Sequence, residues 1–132
     1  MKVPEELKYT ETHEWVRIED DVLTMGITEF AVTALSDLVY IDMPEVGDLT
    51  EKGHPFAEIE SVKAVADVMA PISGEIDSVN EDLADNLDSL SKDPYGKGWL
   101  AKIQISYPNE LPSLLSAEQY RQVLAKAEAE GH

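Results

Sequence analysis

A mostly β fold of short strands closed by one C-terminal helix is the class this sequence predicts. Three observations carry that expectation. Short apolar or alternating runs recur along the chain, and turn residues such as Glu19-Asp20-Asp21, Pro44-Glu-Val-Gly-Asp48 and Asp93-Pro-Tyr-Gly-Lys-Gly98 separate them. The strongest helix-start signal is the S-x-x-Q capping box Ser116-Ala-Glu-Gln119 near the end. No low-complexity segment or interdomain linker interrupts the 132 residues, so a single domain over 1–132 is expected, with its core at about 9–106 and its last helix at about 116–129.

In chain order, His13–Glu19 and Val22–Ile27 read as a hairpin across Glu19-Asp20-Asp21. Thr28 can cap a short helix whose inward stripe would be Phe30, Ala31, Ala34 and Leu35. Leu38–Met43 is a further strand, followed by the Pro44–Asp48 turn. The middle third divides into two similar arms about Lys63. Phe56, Ala57 and Ile59 lead in, Val65, Val68 and Met69 lead out, and Gly53 and Gly74 mark expected turns on either side. Glu75–Val79 continues as a strand. Asn80–Ser91, with Leu83, Leu87 and Leu90, fits a short helix or a compact loop. Trp99–Ile105 is the last strand, with Trp99, Ala101, Ile103 and Ile105 on one face. Beyond Pro108 and Pro112, the final helix turns Tyr120, Val123, Leu124 and Ala127 inward.

Charge and composition narrow the function. With 27 acidic against 10 basic residues the formal net charge is −17. That opposes binding to nucleic acid, which needs a basic surface, and to anionic membranes. It favours a monomer and partners with basic docking faces. No apolar run is long enough to span a bilayer, and the opening MKVPEELKYTETHEW resembles neither a signal nor a transit peptide. A cytoplasmic protein is the expectation, with a processed mitochondrial form as the alternative. The absence of cysteine excludes disulfides, thiolate metal sites and a cysteine nucleophile.

Motifs for catalysis are missing. His13, His54 and His132 lack metal-ligand spacing, so His13 is read as structural or surface and the other two as solvated. No nucleophile elbow or phosphate-binding loop is present, and so many carboxylates give pairs by chance. Lys63, in Glu60-Ser-Val-Lys-Ala-Val-Ala-Asp-Val68, leaves two readings open. It is an ordinary exposed turn lysine, or it is the attachment point of a swinging cofactor. The second requires an amine projected from a tight turn on a rigid β scaffold between small neighbours; acylation then removes its charge, and the cofactor carries the chemistry.

The segments YTETHEWVRIEDDVLTMGIT, LSDLVYIDMPEVGD, ESVKAVADV, APISGEI, NEDL, DPYGKGW and LLSAEQY, in that order from Tyr9 to Tyr120, resemble the glycine cleavage system H proteins. ESVKA differs from the D-K-A more usual in the lipoyl domains of 2-oxoacid dehydrogenases, and from the methionine-flanked lysine of biotin carriers. The resemblance implies a barrel-sandwich hybrid of two quasi-symmetric packed sheets, with short helices, a C-terminal α-helix and Lys63 at a hairpin tip. It implies a non-catalytic carrier with lipoate in amide linkage to Lys63. An aminomethyl group from glycine would be loaded by the pyridoxal-phosphate P protein (glycine decarboxylase). The tetrahydrofolate-dependent T protein (aminomethyltransferase) would unload it, and the flavin L protein (dihydrolipoyl dehydrogenase) would reoxidise the arm. It further implies that Glu60, Ser61, Val62 and Ala64 are read by a lipoate ligase or octanoyltransferase, and that Thr12, Glu14 and Asp67 line a cleft for the loaded arm. A relay passing lipoate or octanoate to other lipoyl domains, and an unmodified acidic interaction module, are the competing functions. One departure stands out. Asn86-Leu-Asp-Ser-Leu-Ser91 replaces a segment that in the family commonly carries a proline, and this frees the loop to become more helical.

Overall fold

A computed structural model describes residues 1–129. Nine strands form two sheets. The larger has the order β1-β2-β3-β9-β8-β5 and the smaller the order β4-β6-β7, with every pairing antiparallel. This is the mostly β class expected from the residues, in the two-sheet arrangement with short helices that the family resemblance implied.

The first hairpin joins β2 (Glu14–Glu19) to β3 (Val22–Ile27) through Asp20, whose φ of 58° lies in the left-handed region that Asp tolerates better than most residues. Val16, Leu23, Met25 and Ile27 from this hairpin are buried. A two-residue strand, β1 (Lys8–Tyr9), adds to its edge. It is too short to carry a period-2 signal and was not anticipated.

Helix α1 (Glu29–Leu35) starts where expected, with Thr28 Oγ1 accepting from the Ala31 N–H at 3.4 Å. Its inward face is rotated from the expected stripe. Val32 is the buried residue, Ala31 and Leu35 pack beside it, and Ala34 is exposed. Seven residues make two turns, so the direction of the helix against the sheets, which the sequence does not contain, decides its buried face. Strand β4 (Leu38–Asp42) follows, and β5 (Leu49–Thr50) comes after the turn at Gly47, whose φ is 95°.

The central hairpin comprises β6 (Pro55–Ser61) and β7 (Val65–Met69). Gly53 is a turn glycine, with φ at 81°. Gly74 is not: it is the first residue of β8 (Gly74–Val79), paired with Ile105 of β9 (Ala101–Ile105). A Cβ there would lie 2.1 Å from the Gln104 carbonyl oxygen. The position therefore excludes a side chain because another backbone approaches it, not because of a turn.

Asn80–Ser91 resolves into a 3-10 turn (Glu81–Ala84) and a helix, α2 (Asp88–Lys92). Leu83 and Leu90 are buried and Leu87 packs at the core edge. The 93–98 turn closes on itself, since Asp93 accepts from the Gly96, Gly98 and Lys97 N–H groups. Its Pro94 carbonyl accepts from Trp15 Nε1 at 2.8 Å. The His-Glu-Trp and Asp-Pro-Tyr-Gly motifs are thus two halves of one contact.

A 3-10 segment (Pro108–Ser113), not anticipated, leads to helix α3 (Ala117–Ala129). The capping box forms as expected: Gln119 N–H donates to Ser116 Oγ at 3.2 Å, and Ser116 N–H to Gln119 Oε1 at 2.9 Å. Tyr120 and Leu124 point inward. The main core lies between the sheets around Ile41, Ile59, Ile72, Ile76 and Ile103. A second cluster of Leu7, Tyr9, Trp15, Ala117, Tyr120 and Leu124 seats α3. His54 is exposed beside Glu51, as anticipated; His132 lies outside the described residues.

Gly74→Ala is expected to destabilise the fold by about 1–3 kcal/mol through overpacking. Gly47→Ala, with open space around its Cβ position, tests conformational strain alone. Urea unfolding of both variants measures the difference.

Candidate functional site

The β6–β7 hairpin reverses over Val62-Lys63-Ala64. The turn is closed from within. Ser61 N–H donates to the Ala64 carbonyl at 2.8 Å, while Ser61 Oγ accepts from Ala64 N–H at 3.1 Å and donates to the Ala64 carbonyl at 3.2 Å. Val62 N–H donates to Asp37 of the α1–β4 connection at 2.9 Å, tying the tip to the neighbouring strand's entry. Val62, Lys63 and Ala64 are all exposed. Among the described residues Lys63 forms no ion pair. A primary amine thus stands on a turn whose backbone is held, between a valine and an alanine, with no carboxylate claiming it.

The register of the small sheet orders what surrounds the lysine. Ile41, Ile59 and Ala66 form one row facing the core, and Tyr40, Glu60 and Val65 form the next, facing out. Beyond it Asp42, Glu58 and Asp67 make a second outward row, three carboxylates side by side. Glu60 and Asp67 are therefore exposed groups on the lysine's own sheet, while Ser61 is buried and ties the turn.

Thr12 and Glu14 lie at the start of β2, against the far end of β7. Glu14 is only 2% exposed. Its Oε1 accepts from Thr10 Oγ1 at 2.6 Å and from Thr12 Oγ1 at 2.5 Å, and its Oε2 accepts from Met69 N–H at 3.4 Å. Thr10 Oγ1 also accepts from the Glu14 N–H at 3.1 Å. Burial pushes the Glu14 carboxyl above its usual range, and the hydrogen bonds from Thr10, Thr12 and Met69 pull the other way. Thr12 stands at the surface above it, on the edge of a cleft of about 330 Å³ that Tyr9, Lys52, Met69, Leu114 and Leu115 also line.

The structure therefore brings Thr12 and Glu14 into direct contact. Asp67 shares a strand face with Met69, two residues away, but borders a neighbouring concavity with Asp42, Phe56 and Glu58. Sequence reasoning missed Thr10, whose hydroxyl serves both ends of Glu14. The alternation Thr10-Glu-Thr12-His-Glu14, a hydroxyl two and four residues before a carboxylate, was the signal available. Among the described residues no cluster of histidines and carboxylates could hold a metal ion.

Because the folded-state pKa of Glu14 is raised, the fold binds that proton more tightly than the unfolded chain does. Its contribution to stability is greatest below the unfolded pKa and is lost as pH rises through the folded pKa. Glu14→Gln is therefore expected to gain stability relative to the parent chain as pH rises from 4 to 7. Thermal unfolding of both proteins across that range checks it, and a constant difference would contradict it.

The glycine cleavage H-protein family model matches residues 7–127. Among curated proteins, the glycine cleavage system H protein of Rubrobacter xylanophilus is 46% identical over 127 residues, covering 96% of this chain and 98% of that protein. The Staphylococcus epidermidis protein of the same name is 46% identical over 126 residues, covering 96% of this chain and all of its own length. Among solved structures, a glycine cleavage system H protein from Mycobacterium marinum superposes with a TM-score of 0.80 at 38% identity, covering 89% of this chain and 95% of that one. With the fold, the lysine hairpin and the matched length in agreement, this chain belongs to the glycine cleavage H-protein family.

Proposed function

We propose that Lys63 is the residue through which this chain serves as the lipoyl carrier of glycine cleavage. H proteins are non-catalytic and carry lipoate covalently on a lysine. The observation that carries the assignment is the turn itself: an exposed, unpaired amine on a hairpin closed by Ser61 and tied to Asp37. Lipoate fits this position, because amide formation needs an accessible amine and costs no ion pair here. When bound, it supplies the dithiol–disulfide chemistry that takes up the aminomethyl group of glycine.

The chain's own contribution is presentation. The hydrogen-bonded turn gives the amine a fixed origin, and the β6–β7 ladder carries that origin on a packed sheet. Glu60, Val62 and Ala64 form the surface that a lipoate ligase or octanoyltransferase would read, with buried Ser61 shaping the turn beneath them; Val62 and Ala64 leave room beside the amine. Thr12 stands on the rim of the cleft that would hold the loaded arm, Glu14 lies buried directly behind it, and Asp67 is on the strand between them and the lysine. A carboxylate backed by hydroxyls suits a small cationic amine, and the dry setting of Glu14 strengthens the attraction. The P, T and L proteins of glycine cleavage are the working partners. We further read residues 1–132 as one carrier domain, supported by a core to which both sheets contribute. A monomer is supported by the −17 net charge, which opposes self-association, and action in the cytoplasm by the bacterial H proteins that the chain resembles. No described residue favours a lipoate relay or an unmodified module.

Lys63→Arg keeps the positive charge and removes the acylable amine. It is expected to abolish both the lipoyl mass increment of the protein and glycine-dependent turnover, while leaving the circular dichroism spectrum unchanged. A lipoyl increment or turnover retained by the variant contradicts the assignment. Glu14→Ala is expected to shorten the lifetime of the aminomethyl-loaded carrier, read by ammonia release in the absence of T protein.

A further inference from the structure

The cleft residues sit on a loop that is held from both sides by the C-terminal segment. At one end, Tyr9 and Leu115 exchange backbone hydrogen bonds at 2.8 and 2.7 Å, so the residue just before the capping box pairs with β1. At the other end, His13 Nδ1 lies 2.8 Å from the Tyr120 hydroxyl of α3, and that hydroxyl lies 2.7 Å from Thr28 Oγ1. Between these clamps are Thr10, Glu11 and Thr12, with Glu14 immediately after.

His13 has a φ of 72°, the left-handed region that non-glycine residues enter at a cost. Its surroundings impose it. Thr28 N–H donates to the His13 carbonyl at 3.0 Å, and His13 N–H donates to the Thr10 carbonyl at 3.3 Å. The ring packs on Phe30 at 4.6 Å and meets Tyr120 edge-on at 5.7 Å. Tyr120 is itself fully buried and stacked on Tyr9 at 4.6 Å, with the rings within 6° of parallel. The consequence falls on the neighbours. In a regular strand, residues two apart share a face but stand roughly 6.5 Å apart. The left-handed residue tightens the chain, Thr10 N–H donates to the Glu14 carbonyl at 3.0 Å, and the Thr10, Thr12 and Glu14 side chains converge on one point.

We propose that His13 is a positioning residue, through which Tyr120 of the C-terminal helix holds the Thr10–Glu14 loop in the shape that brings Thr12 onto the Glu14 carboxylate. The proposal gives α3 a part in the site although none of its residues borders the cleft. It rests on the reading of Thr12, backed by the buried Glu14, as the polar side of the holding cleft for its functional meaning, but its geometry can be tested without that reading.

The test is an NMR titration of the Glu14 side-chain carboxyl in the full chain, with Tyr120→Phe as the main variant. Phenylalanine keeps the stack on Tyr9 and removes only the hydroxyl. The expected result is an upward shift of the Glu14 titration, because the hydrogen bond from Thr12 that opposes the effect of burial is lost, with displaced Thr12 and Glu14 amide resonances. His13→Ala should shift it further. His13→Asn, which tolerates the left-handed conformation, should shift it less than His13→Ala. Leu124→Ala loosens the packing of the same helix without touching His13 and should leave Glu14 unmoved. An unchanged Glu14 titration in Tyr120→Phe overturns the proposal. So does an equal shift in Leu124→Ala, which would make the effect general loosening. If the Glu14 titration shifts as expected but Glu14→Ala leaves the loaded carrier's lifetime unaltered, the holding-cleft reading fails and the positioning role stands.

Discussion

Three hydrogen bonds between Ser61 and Ala64 and one from Val62 to Asp37 hold the turn that carries Lys63, the attachment point we propose. A carrier's reactive group must reach several enzymes in succession, so its point of attachment has to be both exposed and fixed. Exposure alone is easy at a hairpin tip; fixity is not, because a turn of exposed residues has few neighbours. The serine supplies it by satisfying both polar groups of Ala64 with one side chain. The rest of the fold extends that fixity inward. The tip continues into the β6–β7 ladder, the inward row Ile41, Ile59 and Ala66 lies over the core, and the larger sheet closes the other side of that core.

Glu14 poses the opposite problem. An ionised carboxylate taken out of water is costly unless hydrogen bonds replace its hydration. Two threonine hydroxyls and a backbone N–H do so here, and burial still leaves the group harder to ionise than a free carboxylate. Such a group gains from a cation brought beside it, whereas a solvated carboxylate would gain little. The contrast with Lys63 is informative. One ionisable group is kept outside and unpaired, the other inside and multiply bonded, and the two lie at opposite ends of the same strand, β7.

Much of this was legible in the residues, for identifiable reasons. The β2–β3 hairpin and the capping box were read correctly because their signals are local: a turn between periodic runs, and a serine three residues before a glutamine. The place of Lys63 between two arms followed from spacing, while its cofactor came only with the family resemblance. What could not be read depends on partners distant in sequence. The buried face of α1 is set by its direction against the sheets, so Val32 was missed and Ala34 wrongly turned inward. Gly74 looked like a turn glycine because the approach of Gln104, thirty residues on, leaves no mark nearby. Thr10 was overlooked since its value lies in converging with Thr12 on Glu14, around a left-handed His13 that the sequence does not announce.

The row Asp42, Glu58 and Asp67 sets three like charges on directly paired positions of the lysine's sheet, an arrangement that weakens strand pairing. Dissolved salt relaxes that repulsion and so favours the isolated sheet. The same ions shorten the reach of its negative field, to about 8 Å at physiological ionic strength, and slow the capture of any positively charged surface. Ionic strength therefore acts on this one row in two opposed senses, tightening the sheet while slowing the approach of any basic surface.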